Sequence, residues 1–160
     1  MIAPALKIQL AAGVAAGLAG AILLDVFLFG TQIIAGAPPG QVIADNYTFI
    51  ASVVLGPQIS SNPAAPLIGA AVHACVSVGW ALGYVYLIRT QPQLLSRPWI
   101  SGAGFGLVVY VFMSIVLLTA GMYHRPSPQG LESALIAHML FYGVPVALVA
   151  SRLLARPATA

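Results

Sequence analysis

Three ionisable side chains interrupt stretches that are otherwise apolar: Asp25, His73 and His138. A carboxylate and two imidazoles suit two kinds of chemistry. An Asp–His contact can hold and release a proton, and two imidazoles at matched depth can ligate one iron from opposite faces, as in a bis-histidine haem b. A carboxylate kept from water needs a partner or a proton. His73 and His138 are the candidate partners of Asp25, with backbone NH groups of the following loop as the alternative. The same three side chains equally suit a structural polar network between helices. For the haem reading, Gly69, Ala70 and Ala134 leave room beside the imidazoles, and Arg125 is the candidate partner of the propionates.

The remaining polar residues point elsewhere. His124, between Tyr123 and Arg125, belongs near the headgroups. Glu132 is expected in the first turn of a helix, where its charge complements the dipole. Cys75 is the only cysteine, which excludes an internal disulfide and a multi-cysteine metal site; a small buried hydrophobe is expected there. The sequence holds no phosphate-cradling glycine loop followed by Lys and Ser/Thr, no His-Glu-x-x-His and no Gly-x-Ser-x-Gly. No catalytic residue is assigned, and an enzyme is the less expected class.

The elements that position these residues follow from composition. The 160 residues are 60% hydrophobic and 6% charged, with a mean hydropathy of +0.98. A water-soluble domain carries about 25% charged residues, so most of this chain faces lipid. A net charge of +3 without a basic run excludes a nucleic-acid footprint. No polar linker divides the chain, so residues 1–160 form a single integral membrane domain. Four runs reach the roughly 20 apolar residues that cross about 30 Å of hydrocarbon: 8–29, 67–88, 100–121 and 133–153. They are continuously apolar rather than alternating, which predicts helices and not a β-barrel. The first run exceeds the usual signal-peptide core of roughly 7 to 15 residues and reads as a retained helix.

Orientation comes from the basic residues. Lys7, Arg89, Arg97, Arg152 and Arg156 fall on one side of a four-pass topology, and Arg125 falls on the other. The positive-inside rule then predicts a bacterial inner-membrane protein with both termini in the cytoplasm. Asp25, His73 and His138 fall in one layer, roughly 6 to 10 Å below the outer boundary.

The first loop, residues 31–66, holds no Lys or Arg, and Val42, Phe49, Ile50, Val53 and Val54 share a helical face within 41–56. A short helix lying in the outer interface is expected there, with a re-entrant segment as the alternative. Glycines recur at helix-packing spacing in Gly13/Gly17, Gly79/Gly83 and Gly102/Gly106. The halves also match. Gly13, Gly17 and Asp25 correspond in spacing to Gly102, Gly106 and Ser114, while His73 and His138 each precede a glycine and an arginine. This pattern suggests a parallel two-helix repeat about an axis along the membrane normal; chance similarity between apolar helices is the alternative.

The stretch His73-Ala-Cys-Val-Ser-Val-Gly79-Trp-Ala-Leu-Gly83-Tyr84, with His138-Met-Leu-Phe-Tyr142-Gly143 and the glycine-rich opening of the third span, resembles small bacterial inner-membrane proteins of the YagU-like type. The resemblance covers 67–153. It implies a multipass inner-membrane fold with a histidine early in each of two helices, and it implies no particular activity.

Together these readings predict an all-α four-helix membrane bundle with an interfacial helix in the first loop. The expected function is that of a non-catalytic accessory or structural subunit of a larger membrane complex, or a homo-oligomer, with a polar Asp/His site near the outer leaflet. A bis-histidine haem b electron-transfer module and a small proton-linked transporter or channel are the alternatives.

Overall fold

The computed structural model describes residues 4–123 and 125–155, so His124 and Arg156 lie outside the described residues. Among those described, the chain forms five helices: α1 (Pro4–Ile34), α2 (Pro39–Leu55), α3 (Ala65–Thr90), α4 (Pro98–Thr119) and α5 (Pro128–Leu154). Helices α1, α3, α4 and α5 are long and apolar enough to cross a bilayer. The chain is therefore an all-α, four-span membrane protein, with α2 as an additional helix inside the first connection.

Helix boundaries follow from proline and glycine. Each of α2, α3, α4 and α5 has a proline in its opening positions, where a fixed φ suits the helix and the missing N–H costs no hydrogen bond. Prolines that look like span boundaries in the sequence are thus the first residues of the helices themselves. α5 accordingly begins at Pro128, where the Ser127 hydroxyl accepts from the Gly130 N–H at 3.1 Å. This moves Glu132 beyond the first turn, so the cap is Ser127 and not Glu132. At its other end α4 stops at Thr119. Gly121 takes a φ of +68°, and the Met122 N–H reaches back to the Leu117 carbonyl at 2.9 Å. A turn of this kind, closing on a left-handed glycine, ends the helix before position 121.

Small residues make up much of the bundle's interior, alongside larger buried side chains such as Tyr84, Tyr142 and Ile88. Ala16, Ala81, Ala137, Ala147 and Ala150 are fully buried, whereas Ile22, Val26, Ile100 and Leu118 are more than 60% exposed. In lipid, helices gain nothing by hiding large apolar side chains from the solvent, and small residues bring backbones close enough for dense contact. α1 packs between α3 and α5, and α4 packs on α5. α3 and α4 meet through aromatic rings: Trp80 on Phe112 at 5.0 Å and Tyr84 on Phe105 at 4.8 Å between centroids.

The glycine pairs divide unequally. A Cβ at Gly17 would lie 2.6 Å from the Val78 Cα on α3, and one at Gly102 would lie 2.7 Å from the Val144 Cα on α5. Gly79 and Gly83 have open space beside them, so this third pair packs no neighbouring helix. Cys75 is likewise exposed on α3, a correction to the expected burial in protein. An apolar run marks residence in the hydrocarbon without saying whether a residue faces lipid or another helix.

Candidate functional site

The glycine seam between α1 and α3 sets the distance at which Asp25 and His73 face each other. Asp25 Oδ1 lies 3.2 Å from His73 Nε2, with the two side chains 15% and 18% exposed. The approach lacks hydrogen-bond alignment, and Nε2 has no hydrogen-bond partner. The contact is therefore electrostatic, and it is an ion pair whenever His73 carries its second proton. α1 continues to Ile34, well past the end expected at position 29. Asp25 thus stands clear of the last turn, and it is burial rather than the helix dipole that makes partners necessary.

The second partner comes from α2. The Tyr47 hydroxyl donates to Asp25 Oδ2 at 2.7 Å, and its ring lies 6.2 Å from His73 and edge-on to Phe29 at 5.4 Å. Gly69 is what lets Tyr47 reach this position, because the Tyr47 backbone carbonyl occupies the space a Cβ on residue 69 would need. Burial pushes the Tyr47 phenol up to about 12, with the hydrogen bond to Asp25 and its charge acting in the same direction. Asp25 therefore receives one donated hydrogen bond and one imidazole contact.

Beside this cluster lies a cavity of about 480 Å³, walled by all five helices. His73 and His138 both line it, as do Ser77, Trp80, Tyr110 and Tyr142. The Phe49, Ile50, Val53 and Val54 face of α2 forms another wall; α2 packs on α3 and shapes the interior. Phe49 (41%), Val54 (59%), Val76 (38%) and Phe112 (50%) are exposed while lining the same space. They form a rim open to the surroundings of the bundle. Trp80, Phe105, Phe112 and Tyr84 carry a continuous aromatic layer from α3 to α4.

His138 and Tyr142 owe their placement to a π-helical segment, Ala137–Gly143, within α5. Pro145 follows it; proline in a helix interior lacks an N–H and crowds the carbonyl four residues earlier, which a widened turn relieves. Segments of this type concentrate at functional sites. Gly106 fits against the His138 carbonyl, and Gly143 against the Gly102 carbonyl, so α4 closes directly on the widened turn. The His138 Nδ1 lies 2.8 Å from the Ala134 carbonyl. A carbonyl only accepts, so Nδ1 carries the hydrogen and Nε2 is the ring nitrogen left for an occupant of the cavity. The Tyr142 hydroxyl donates to the Ser77 carbonyl at 2.6 Å, and the Ser114 hydroxyl donates to the Tyr110 carbonyl at 2.9 Å.

Of the residues singled out in the sequence, Asp25 and His73 meet, and His138 joins His73 on the cavity wall while bonding to its own helix. Both imidazoles reach one space, as paired ligation of a haem requires. His73, however, turns Nε2 to Asp25, and a bis-imidazole site needs that contact broken. Arg125 is exposed and does not line the cavity. Among the described residues, no group of three His, Cys, Asp or Glu side chains is placed to hold a metal ion. Sequence reasoning missed Tyr47 and Tyr142. The signals were a lone tyrosine beside an apolar helical face, and a tyrosine four positions after a histidine in a span interrupted by proline. No family model, curated protein or solved structure matches the chain.

Proposed function

We propose that this chain is a non-catalytic, multipass inner-membrane protein that takes a small amphipathic molecule from the bilayer into its cavity. The supporting observation is the cavity itself: about 480 Å³, largely apolar, rimmed by exposed Phe49, Val54, Val76 and Phe112, with two imidazoles on its wall. Ligand sites of this size, with few polar groups in an apolar lining, suit small organic molecules. A rim made of exposed apolar side chains in a membrane protein favours entry from lipid. The distribution of Lys7, Arg89, Arg97 and Arg152 supports termini in the cytoplasm and the cavity in the outer half. The short connections between α3 and α4 and between α4 and α5 suit an accessory subunit that presents this site within a larger membrane assembly.

Fluorescence tests the proposal. The chain has two tryptophans, so Trp99→Phe leaves Trp80, on the cavity wall, as the reporter. 12-Bromododecanol added to this protein in detergent should quench Trp80 saturably, and Ala134→Phe, which fills the cavity, should abolish the saturable part. Linear quenching, equal in both proteins, would sink the idea.

A second reading, proton-linked movement of the same molecule, is favoured by the Asp25–His73 contact. It requires that flux in proteoliposomes respond to a pH gradient and that Asp25→Asn remove the response. The haem b alternative has its own readout: a Soret band of the purified protein that shifts on reduction.

A further inference from the structure

Three polar groups of the cavity, on His138, Tyr142 and Ser114, are left to receive hydrogen bonds. His138 Nδ1 is committed to the Ala134 carbonyl, and Nε2 makes no hydrogen bond to any described residue. In that tautomer Nε2 is an acceptor. The Tyr142 and Ser114 hydroxyls have already donated to the carbonyls of Ser77 and Tyr110, which leaves their oxygens able only to accept. An occupant that brings a hydroxyl can donate to these groups, whereas one that brings only a carbonyl or ether oxygen leaves Nε2 of His138 unpaired even where Tyr110, Ser77 or Trp80 donates to it.

Charge narrows the class further. Among the described residues no Lys or Arg lines the cavity, and Asp25 stands outside the lining with Tyr47 and His73 as its partners. A phosphate or carboxylate headgroup would enter an apolar space without a counter-charge, which is prohibitive, and an ammonium fares no better. The head must be neutral. The walls are rich in rings, with Trp80, Tyr110, Phe112 and Phe49 among them, and rings gain from edge and offset contacts with another ring. The exposed apolar rim then leaves a path for a tail to remain in the hydrocarbon.

We propose that the ligand is a neutral, bilayer-borne phenol or hydroquinone with an apolar tail, its ring hydroxyl donating to Nε2 of His138. This rests on the cavity-binding reading above and adds the chemistry of the head. The test is displacement of 12-bromododecanol from the Trp99→Phe protein, read as recovery of Trp80 fluorescence. 4-Decylphenol should displace the probe at a concentration about tenfold below that of 4-decylanisole, its methyl ether, the difference expected for one hydrogen bond whose loss strands a buried acceptor. Ionised decanoate should displace it weakly or not at all. His138→Phe, which keeps a ring against Tyr110, should bring phenol and ether to within about twofold. Equal displacement by phenol and ether in the protein with His138 intact overturns the proposal, even where His138→Phe does not fold; so does decanoate matching the phenol, or a preference that survives His138→Phe. If the bromoalcohol itself never quenches saturably, the cavity-binding reading fails instead.

Discussion

The Tyr47 hydroxyl donates a 2.7 Å hydrogen bond to Oδ2 of Asp25, tying α2 to α1 although α2 packs mainly on α3. One carboxylate thus joins three helices, because its other oxygen faces His73 on α3 at 3.2 Å. A hydrogen bond to a charged acceptor contributes about 1.5 to 3 kcal/mol, and partial exposure places this one at the lower end. Tyr47→Phe is expected to loosen α2 before the four spans separate. Limited proteolysis within residues 56–64 should accelerate severalfold, while the unfolding midpoint of the bundle in detergent moves by only a few degrees. Unchanged cleavage would show that packing on Gly69 holds α2 without the hydroxyl.

The same contact sets a pH dependence. The Tyr47 phenol is raised from its ordinary 10.0 to about 12, burial first and Asp25 second. A group whose folded pKa is raised favours the folded state through its protonated form, so this contribution is complete below about pH 10 and is lost as pH rises through about 12. The difference in phenolate absorbance between the protein and Tyr47→Phe should accordingly appear near pH 12. In Asp25→Asn it should move only part of the way back toward 10, because burial remains. A Tyr47 titration near pH 10 would place the side chain in water and dissolve the cluster.

The architecture was legible because hydropathy and proline report directly on what each segment can do in lipid. The helical face Phe49, Ile50, Val53 and Val54 was legible for the same reason, since period follows from sequence alone. What that face covers was not. Asp25 announced a need for a partner, and His73 followed from matching depths; Tyr47 did not, because its approach depends on Gly69, and an interhelical clearance has no local signature. The widened turn that aims His138 and Tyr142 arises from Pro145 together with the fit of Gly102 and Gly106 against α5. The proline can be read from the chain, but that long-range fit cannot.

The glycines supply the sharpest contrast, because three pairs with the same spacing occupy two different environments. At Gly17 an added methyl would fall 2.6 Å from the Val78 Cα and 2.9 Å from the Ser77 carbonyl oxygen, and at Gly106 it would fall on the His138 carbonyl. Backbone cannot yield as a flexible side chain can, so α1 must move off α3, or α4 off α5. Overpacking of this kind costs about 1 to 3 kcal/mol, less the roughly 1 kcal/mol by which alanine favours a helix over glycine. Gly17→Ala and Gly106→Ala should therefore lower the unfolding midpoint in detergent, and Gly106→Ala should also weaken probe binding, since His138 sits on the displaced turn. Gly79 and Gly83 have no neighbour within 4 Å of the added methyl. Alanine there keeps the helical gain without the clash, so both variants should match or slightly exceed the parent protein. If Gly79→Ala destabilised as much as Gly17→Ala, that face of α3 would have to be packed against another chain, and the lipid-facing assignment of Cys75, Gly79 and Gly83 would fall with it.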